Sequence, residues 1–152
     1  MITHQYVIFT LEQQEYGINI SYTQEILRIP QITNMPNMPD FIEGVINLRG
    51  TVIPVIDPKK KFGIAQSERS SDHRLLILDL EGMNIGIIVD DVSEVVVINE
   101  QLIEGLCKEM GILGGNSVQG IAKIDQRLIL LLNTLEFKNE IFKLESEREL
   151  TV

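Results

Sequence analysis

The chain repeats its own pattern, and this internal repeat restricts the folds that it can adopt. Residues 5–26 superpose without a gap on residues 74–95, at an offset of 69 positions. Residues 42–57 superpose on residues 118–133 at an offset of 76, so the second copy carries seven extra residues in its middle. Long self-similar segments indicate one structural unit used twice. We therefore predict a fold made of two related halves.

Each half has the pattern of short antiparallel strands. It reads as an apolar run, a polar turn, a strand containing Gly-Ile, an irregular middle and a strand hairpin, with Val, Ile and Leu dominating the runs. Turn signals recur about every ten residues, which favours two small barrels over a parallel α/β sheet. The segments "TVIPVI" and "LILLL" are apolar on both faces, as expected for a barrel wall that packs against its own core and against a sister barrel. We predict a tightly joined pair of barrels.

The period of the apolar residues changes from strand to helix after Asn133. Asn133 and Glu136 have the spacing of a capping box. Five apolar residues then form one stripe: Leu135, Phe137, Ile141, Phe142 and Leu144. We predict a C-terminal helix that packs on the barrels, and a helix that binds a partner is the alternative. The polar segment 66–72 is the one evident linker, and it separates the two halves.

Composition restricts the class of partner and the compartment. Thirteen basic and twenty-two acidic side chains give a net charge of −9, which repels nucleic-acid phosphates and anionic lipid surfaces. We interpret the one basic run, Lys59 to Lys61, as a solvated loop or helix end. The single cysteine, Cys107, cannot form an internal disulfide, and we expect an inert or buried thiol. The chain shows neither a secretory signal nor an apolar run near the ~20 residues that cross a bilayer, so we expect a cytoplasmic protein.

Signatures of catalysis, metal binding and cofactor binding are absent from the sequence. His4 and His73 are isolated histidines beside strand starts, and we expect them at the surface. The glycine-rich segment 111–120 lacks the Gly-Lys-Ser/Thr ending of a phosphate-binding loop. Asp90 and Asp91 are neighbours on a strand pattern and point to opposite faces, so they cannot share a proton. We predict no catalytic residues, no metal and no cofactor, which leaves binding through the surface.

The turn "NLRG", Asn47 to Gly50, carries two residues that strands do not require. A type I turn favours Asn at its first position and Gly at its fourth, so Leu48 and Arg49 occupy the centre and are expected to face outward. The equivalent turn of the second half is Lys123, Ile124, Asp125, Gln126. The strands match while the turns differ, so the fold does not dictate Leu48 and Arg49.

Two interpretations of Arg49 stay open at this point. In the first interpretation, Arg49 forms a salt bridge within the molecule, with Glu25 as its partner. The second half of the repeat has Glu94 at the position equivalent to Glu25, so a carboxylate there can be part of the fold. Alternatively, Leu48 and Arg49 form a recognition patch in which leucine supplies apolar area and arginine a directional fork of donors. The two roles are compatible.

The order of these motifs resembles the CheW family, the coupling proteins of bacterial chemotaxis. The resemblance rests on "YGINISYTQEILR", on "FIEGVINLRGTVIPVID" and on the "KKKFG" that follows, and it extends from about Gln5 to Phe142. We expect no appended receiver or kinase module, in which respect the sequence resembles free CheW and not CheV or CheA. A CheW-like adaptor of another receptor–kinase pathway is the alternative.

The resemblance implies a mostly β fold of two intertwined five-stranded SH3-like β-barrels with a C-terminal α-helix. We expect a single CheW-like domain over residues 1–152, with the first barrel at about 15–65 and the second at about 80–135. The N-terminal strand and the C-terminal helix complete the pair. The implied function is a non-enzymatic adaptor that couples the cytoplasmic tip of methyl-accepting chemoreceptors to the regulatory domain of the histidine kinase CheA. Recruitment from the cytoplasm to receptor arrays at the membrane follows from that role.

The resemblance also implies which residues contact the receptor, in a groove between the barrels. They lie in three stretches: Thr23, Gln24, Glu25 and Ile26; Asn47, Leu48, Arg49 and Gly50; and Asp91 and Val92, within a stretch that extends to Val95. Apolar area at the centre of the groove is expected from Ile20, Ile26, Leu48 and Val92. The position of Thr23 is usually a branched apolar residue in the family, so a change in receptor affinity is expected there. The kinase contact uses the ends of the barrels and is not assigned to residues.

Overall fold

The computed structural model describes residues 2–65, 68, 70–105 and 117–150. The expectations for Cys107, for most of the glycine-rich segment and for part of the 66–72 linker fall outside these residues. The first half of the chain forms β1 (Thr3–Leu11), β2 (Gln14–Asn19), β3 (Thr23–Arg28), β4 (Ile42–Leu48), β5 (Thr51–Ile56) and the short helix α1 (Pro58–Phe62). The second half forms β6 (Arg74–Leu80), β7 (Met83–Val89), β8 (Asp91–Asn99), β9 (Ile103–Glu104), β10 (Val118–Ile124), β11 (Arg127–Leu132) and the helix α2 (Thr134–Leu150).

The two halves exchange their first hairpins. Sheet A has the strand order β8-β1-β2-β11-β10-β9, and sheet B has the order β3-β6-β7-β5-β4. The hairpin β1–β2 of the first half therefore lies among the strands of the second half, and the hairpin β6–β7 of the second half lies among those of the first. The exchange is reciprocal. In each sheet one parallel pairing joins the exchanged hairpin to a strand of the other half: β2 pairs with β11, and β7 pairs with β5. The prediction of an intertwined, mostly β pair with a C-terminal helix is confirmed, and the short β9 adds a sixth strand to sheet A.

Three apolar cores follow from the two-faced strands. One core lies inside the curl of sheet A and one inside that of sheet B, and we call them the barrel cores. The third, which we call the inter-sheet core, joins residues of both sheets with Phe137 and Ile141 of α2. On β1, Tyr6 and Ile8 belong to the barrel core of sheet A, whereas Val7, Phe9 and Leu11 belong to the inter-sheet core. The alternation of side chains along a strand thus buries both faces, as the apolar runs predict.

The helix α2 packs part of its predicted apolar stripe against the inter-sheet core. Phe137 and Ile141 are buried and Leu135 packs against the inter-sheet core, whereas Phe142 is 49% exposed. The predicted barrel bounds of about 15–65 and 80–135 stay a prediction, since the strand pairings define two sheets that each draw on both halves.

The basic run does not form the solvated element that the sequence suggests. Lys59 and Lys61 lie on α1, and their side chains are only 7% and 9% exposed. Lys59 Nζ lies 2.6 Å from Glu12 Oε1 in the β1–β2 turn and 2.6 Å from Asp90 Oδ1 after β7. Asp90 also accepts a hydrogen bond from the backbone N–H of Glu12 and lies beside His73, which is buried and not at the surface. The helix packs where the two sheets meet, so the side chains of Lys59 and Lys61 lie against carboxylates and are largely removed from water.

Candidate docking groove between the sheets

The register of β3 determines which of its side chains lie on the face of sheet B that is turned towards the inter-sheet core. Thr23 lies opposite Leu78 and Ile26 opposite Leu76, and both leucines belong to the inter-sheet core. Directly opposed residues of an antiparallel pair project from the same face. Thr23 and Ile26 therefore face the inter-sheet side, and Ile26 is 46% exposed there. Gln24 is exposed at a register shift between Thr23 and Glu25.

The same geometry recurs on β8. Val92 lies opposite Phe9 and Val95 opposite Val7, and both partners again belong to the inter-sheet core. Val92 packs against that core, whereas Val95 is 52% exposed. Val95 ends the stretch of the second half that we expect to face the receptor, but it is not one of the individual contact residues predicted above. The repeat gives a signal for it, because Val95 is the position equivalent to Ile26. Asp91 precedes Val92 and is exposed.

The hairpin tip differs by one residue from the predicted turn. Leu48 pairs with Thr51, so the turn has two central residues, Arg49 and Gly50, with φ of 51° and 86°. Two successive positive φ values are typical of a type I′ turn, whose twist matches that of the strands, whereas the expected type I turn would splay them. Asn47 still supports the turn, because its Oδ1 accepts a hydrogen bond from the N–H of Gly50 at 2.9 Å.

The shift places Leu48 differently from the expectation. As the last residue of β4, Leu48 follows the inward position of Ile46 and packs against the barrel core of sheet B. It is half-buried, so the expectation that it faces outward without contributing to a core is wrong. The repeat carries a signal for this, because Ile124, the counterpart of Leu48, packs against the barrel core of sheet A.

Arg49 forms the predicted ion pair with Glu25. Two nitrogens of its guanidinium donate to the two carboxylate oxygens, and the Arg49 side chain stays 66% exposed while that of Glu25 is 26% exposed. Hydrogen bonding to Arg49 lowers the pKa of Glu25 below its ordinary value. In a flat sheet, β3 and β5 would lie about 14 Å apart, since three strand spacings separate them. The ion pair therefore connects β3, at one edge of sheet B, with the β4–β5 hairpin at the other edge.

Sheet A has an equivalent bridge with the arginine at a different position. Arg127 of β11 lies 2.6 Å from Glu94 of β8 and 2.6 Å from Glu15 of β2. The position equivalent to Arg49 is occupied by Asp125, which also has a positive φ of 54°. Asp is favoured at positive φ and Arg is not. The turn conformation thus accounts for Asp125 but gives no reason for Arg49.

The structure brings most of the predicted contact residues together in two groups. The Glu25–Arg49 ion pair joins the stretch Thr23–Ile26 to the tip Asn47–Gly50. Asp91 and Val92 lie on the other sheet, with Val92 against the inter-sheet core. Within the described ranges, no group of three or more His, Cys, Asp or Glu is arranged to hold a metal ion. Among the helices in the part of the chain described here, none is long and apolar enough to span a membrane.

Comparison with known proteins gives one family. Residues 5–141 match the model of the CheW-like domain. The chemotaxis protein CheW of Klebsiella aerogenes is 35% identical over 134 residues, covering 87% of this chain and 80% of that protein. The corresponding protein of Bacillus subtilis is 30% identical over 131 residues, covering 84% and 81%. The crystal structure of the scaffolding protein TtCheW from Thermoanaerobacter tengcongensis is similar, with a TM-score of 0.80, 41% identity, and 88% and 86% of the two chains covered.

The match extends over nearly the whole chain, and both the motifs and the exchanged hairpins lie within it. The chain therefore belongs to the CheW family.

Proposed function

We propose that the groove between the sheets, together with the Arg49 tip, docks this adaptor on the cytoplasmic tip of methyl-accepting chemoreceptors. As a member of the CheW family, the chain is a chemotaxis coupling scaffold and not an enzyme. The contact residues that we propose are those expected from the sequence: Thr23, Gln24, Glu25, Ile26, Asn47, Leu48, Arg49, Gly50, Asp91 and Val92. Val95 joins them on the evidence of its exposure and register.

The observation that carries the proposal is the exposed apolar area on the inter-sheet face. Ile26 and Val95 are 46% and 52% exposed at equivalent positions of the two sheets, next to a core that both sheets share. An interface needs such apolar area at its centre with few charges. Apolar side chains such as Ile26 and Val95 are usually buried in a core, yet both copies of the repeat leave them exposed at this position.

The Arg49 tip supplies direction to this surface. Glu25 holds the guanidinium in one orientation, and two thirds of the side chain stays accessible. A guanidinium that is already oriented loses less conformational entropy when it binds a partner. Leu48 anchors the tip to the barrel core, so the tip is a rigid feature of the surface.

We propose that a second contact, at the ends of the barrels, binds the regulatory domain of CheA. Each interface is expected to be modest, near the lower limit of about 1,200 Å² for specific contacts. Many such contacts in one array raise the overall affinity through effective concentration. Recruitment of the chain to receptor arrays at the membrane belongs to this proposal.

A charge swap across the ion pair tests the role of Arg49. Arg49→Glu leaves two carboxylates facing each other and is expected to lower receptor-dependent activation of CheA. The double variant Glu25→Arg with Arg49→Glu restores an ion pair but reverses the charges that the surface presents. We expect the double variant to keep the wild-type melting temperature and to remain defective in receptor binding and in kinase activation.

One outcome of the double variant would contradict the proposed role of Arg49. If the double variant recovers wild-type coupling, the pair is structural and Arg49 does not contact the receptor. Lys123→Glu, two residues before the turn of the β10–β11 hairpin, is the matched control for Arg49→Glu, because the Lys123 side chain is 58% exposed and both substitutions change the net charge by the same amount. We expect this control to couple normally. If the wild-type chain binds neither receptor tips nor CheA, the proposed function itself is overturned.

A further inference from the structure

We infer that Arg28 and Arg74 form a carboxylate-binding site at one end of the groove, which recognises an acidic side chain of the bound receptor segment and sets the direction in which that segment lies. The inference rests on the proposed receptor-docking function and adds the chemistry of one contact to it.

The two arginines are directly opposite each other in the sheet. Arg28 is the last residue of β3, and its partner in the β3–β6 register is Arg74. Opposed residues have Cβ atoms about 5 Å apart, and like charges placed in this way destabilise the pair of strands. A folded chain that keeps such an arrangement accepts an unfavourable interaction in its unbound state.

No carboxylate of the described residues neutralises this pair. The side chain of Arg28 is exposed and has neither a hydrogen bond nor an ion pair within the described ranges. Arg74 donates from Nη1 to two neutral carbonyl oxygens, those of Ser71 at 2.6 Å and His73 at 2.9 Å. Acidic side chains outnumber basic ones by twenty-two to thirteen in the whole chain, so an arginine pair without an internal carboxylate is unusual here.

The repeat shows that the fold does not require these charges. The positions equivalent to Arg28 and Arg74 in the other half are Val97 and Gln5, and these two residues also lie directly opposite each other. The same strand pairing is therefore built with an uncharged pair in sheet A. Of the two equivalent strand pairings, only the one in sheet B carries arginines.

Both arginines project from the inter-sheet face of sheet B. Leu27 packs against the barrel core of sheet B, so its neighbour Arg28 projects from the opposite, inter-sheet face. Arg74 is opposite Val89 on β7, and Val89 belongs to the inter-sheet core. Arg28 lies two residues beyond Ile26 on the same face, so the pair continues the proposed docking surface.

The two sheets consequently present unlike side chains at these equivalent places. The sheet B side offers two guanidinium groups, whereas the equivalent place on sheet A offers Val97, which is 58% exposed. Two arginines side by side provide the forked donors that bind a carboxylate in a bidentate manner. A phosphate ligand of a nucleic acid or a lipid surface is disfavoured by the net charge of −9. The chemistry fits a protein segment with Asp or Glu at one end and apolar side chains at the other.

Binding of a chemoreceptor cytoplasmic fragment from the same organism to the full-length chain tests the inference. Arg28→Glu is expected to weaken binding about tenfold, a change of about 1.4 kcal/mol, and Arg28→Gln to weaken it less. The wild-type affinity should fall with rising salt more steeply than that of Arg28→Gln, because one charged contact is lost in the variant. Replacement of one receptor Asp or Glu by Lys should restore binding to Arg28→Glu. Lys123→Glu serves as the control for net charge.

The outcomes separate the inference from the proposed function. If Ile26→Glu abolishes binding while Arg28→Glu binds like wild type, the groove is the docking site and the arginine site is overturned. If neither variant changes the affinity of a chain that binds the receptor, the proposed docking groove falls as well. If no receptor carboxylate rescues Arg28→Glu across a scan of all acidic residues in the fragment, direct recognition of a carboxylate is overturned.

Discussion

Thr23 carries a hydroxyl group at a place where its surroundings are apolar. Its counterpart in the other half is Val92, and its partner in the sheet is Leu78 of the inter-sheet core. The Oγ1 atom is buried and has no hydrogen-bond partner within the described residues. A buried hydroxyl without a partner costs the free energy of removing it from water. The hydroxyl group of Thr23 is thus a cost in stability.

We predict that Thr23→Val stabilises the chain by about 1 kcal/mol, because valine keeps the branched shape and removes the unsatisfied group. Urea unfolding measures the change. Thr51→Val, at an exposed position beside the hairpin tip, is the control and should alter stability by less than about 0.5 kcal/mol. A loss of stability in Thr23→Val would mean that the hydroxyl has a partner in solution.

At the scale of single elements, the hairpins depend on glycines at their bulges. Gly44 and Gly120 occupy equivalent register shifts in β4 and β10. A Cβ atom on Gly44 would lie 2.1 Å from the carbonyl oxygen of Thr33, whose backbone bridges to Val45 beside it. The connector that contains Thr33 therefore packs directly against the backbone of β4. The glycine is required by this close approach and by its φ of 149°.

We predict that Gly44→Ala destabilises the chain by about 3 kcal/mol or more, since backbone must move to admit the methyl group. Gly50→Ala is the matched comparison, because it also has a positive φ but meets nothing within 4 Å. Its cost should be limited to backbone strain, about 1–2 kcal/mol. Equal losses in chemical denaturation would show that strain, and not the contact with Thr33, decides the effect.

The bridge made by Arg127 between the strands of sheet A gives stability a dependence on pH. Its hydrogen bonds to Glu15, at 2.9 and 2.6 Å, lower the pKa of that carboxyl below its ordinary value of 4.5. A lowered pKa in the folded state stabilises the fold above the ordinary value, and this contribution is lost as the pH falls through the lowered pKa.

We predict that Arg127→Gln is less stable than wild type at pH 7 and that the difference shrinks as the pH falls below about 4.5. Free energies of unfolding measured by urea titration between pH 3 and pH 7 provide the comparison. Arg28→Gln is the control, since Arg28 has no carboxylate partner within the described residues. A difference that stays constant with pH would exclude the ion pair as its origin.

At the scale of the whole molecule, the exchanged hairpins and the buried lysine bind the two halves into one unit. Neither sheet is complete without strands from the other half, and the inter-sheet core draws on both sheets and on α2. Lys59 adds a charged contact between the β1–β2 turn and the end of β7. Burial of Lys59 lowers its pKa, but its ion-pair contacts with Asp90 and Glu12 outweigh this, and the pKa is raised overall. The lysine is therefore charged where it joins the two sheets.

We predict that Lys59→Met destabilises the chain by about 3 kcal/mol, because it removes the buried cation that contacts both Glu12 and Asp90. Lys123→Met removes an exposed pair with Glu104 and should cost less than about 1 kcal/mol. Thermal unfolding followed by circular dichroism should show one transition in every variant, since the sheets share their strands. Two separate transitions would contradict the interdependence of the halves.

The sequence by itself determined the elements of this protein: the repeat, the strands with two apolar faces, the helix after Asn133 and the Glu25–Arg49 pair were all readable from it. These features depend on residues close in the chain, or on a pattern that occurs twice. The residue pattern alone did not determine that the first hairpins change places, because either arrangement buries the same apolar faces. The expectation of an intertwined pair came from the family resemblance, and the tertiary structure shows which strands are exchanged. It also decided that Leu48 faces a barrel core, since a shift of one residue in a turn reverses the face of every side chain. Lys59 is buried for the same kind of reason: its carboxylate partners come from distant turns that meet only when the two sheets pack.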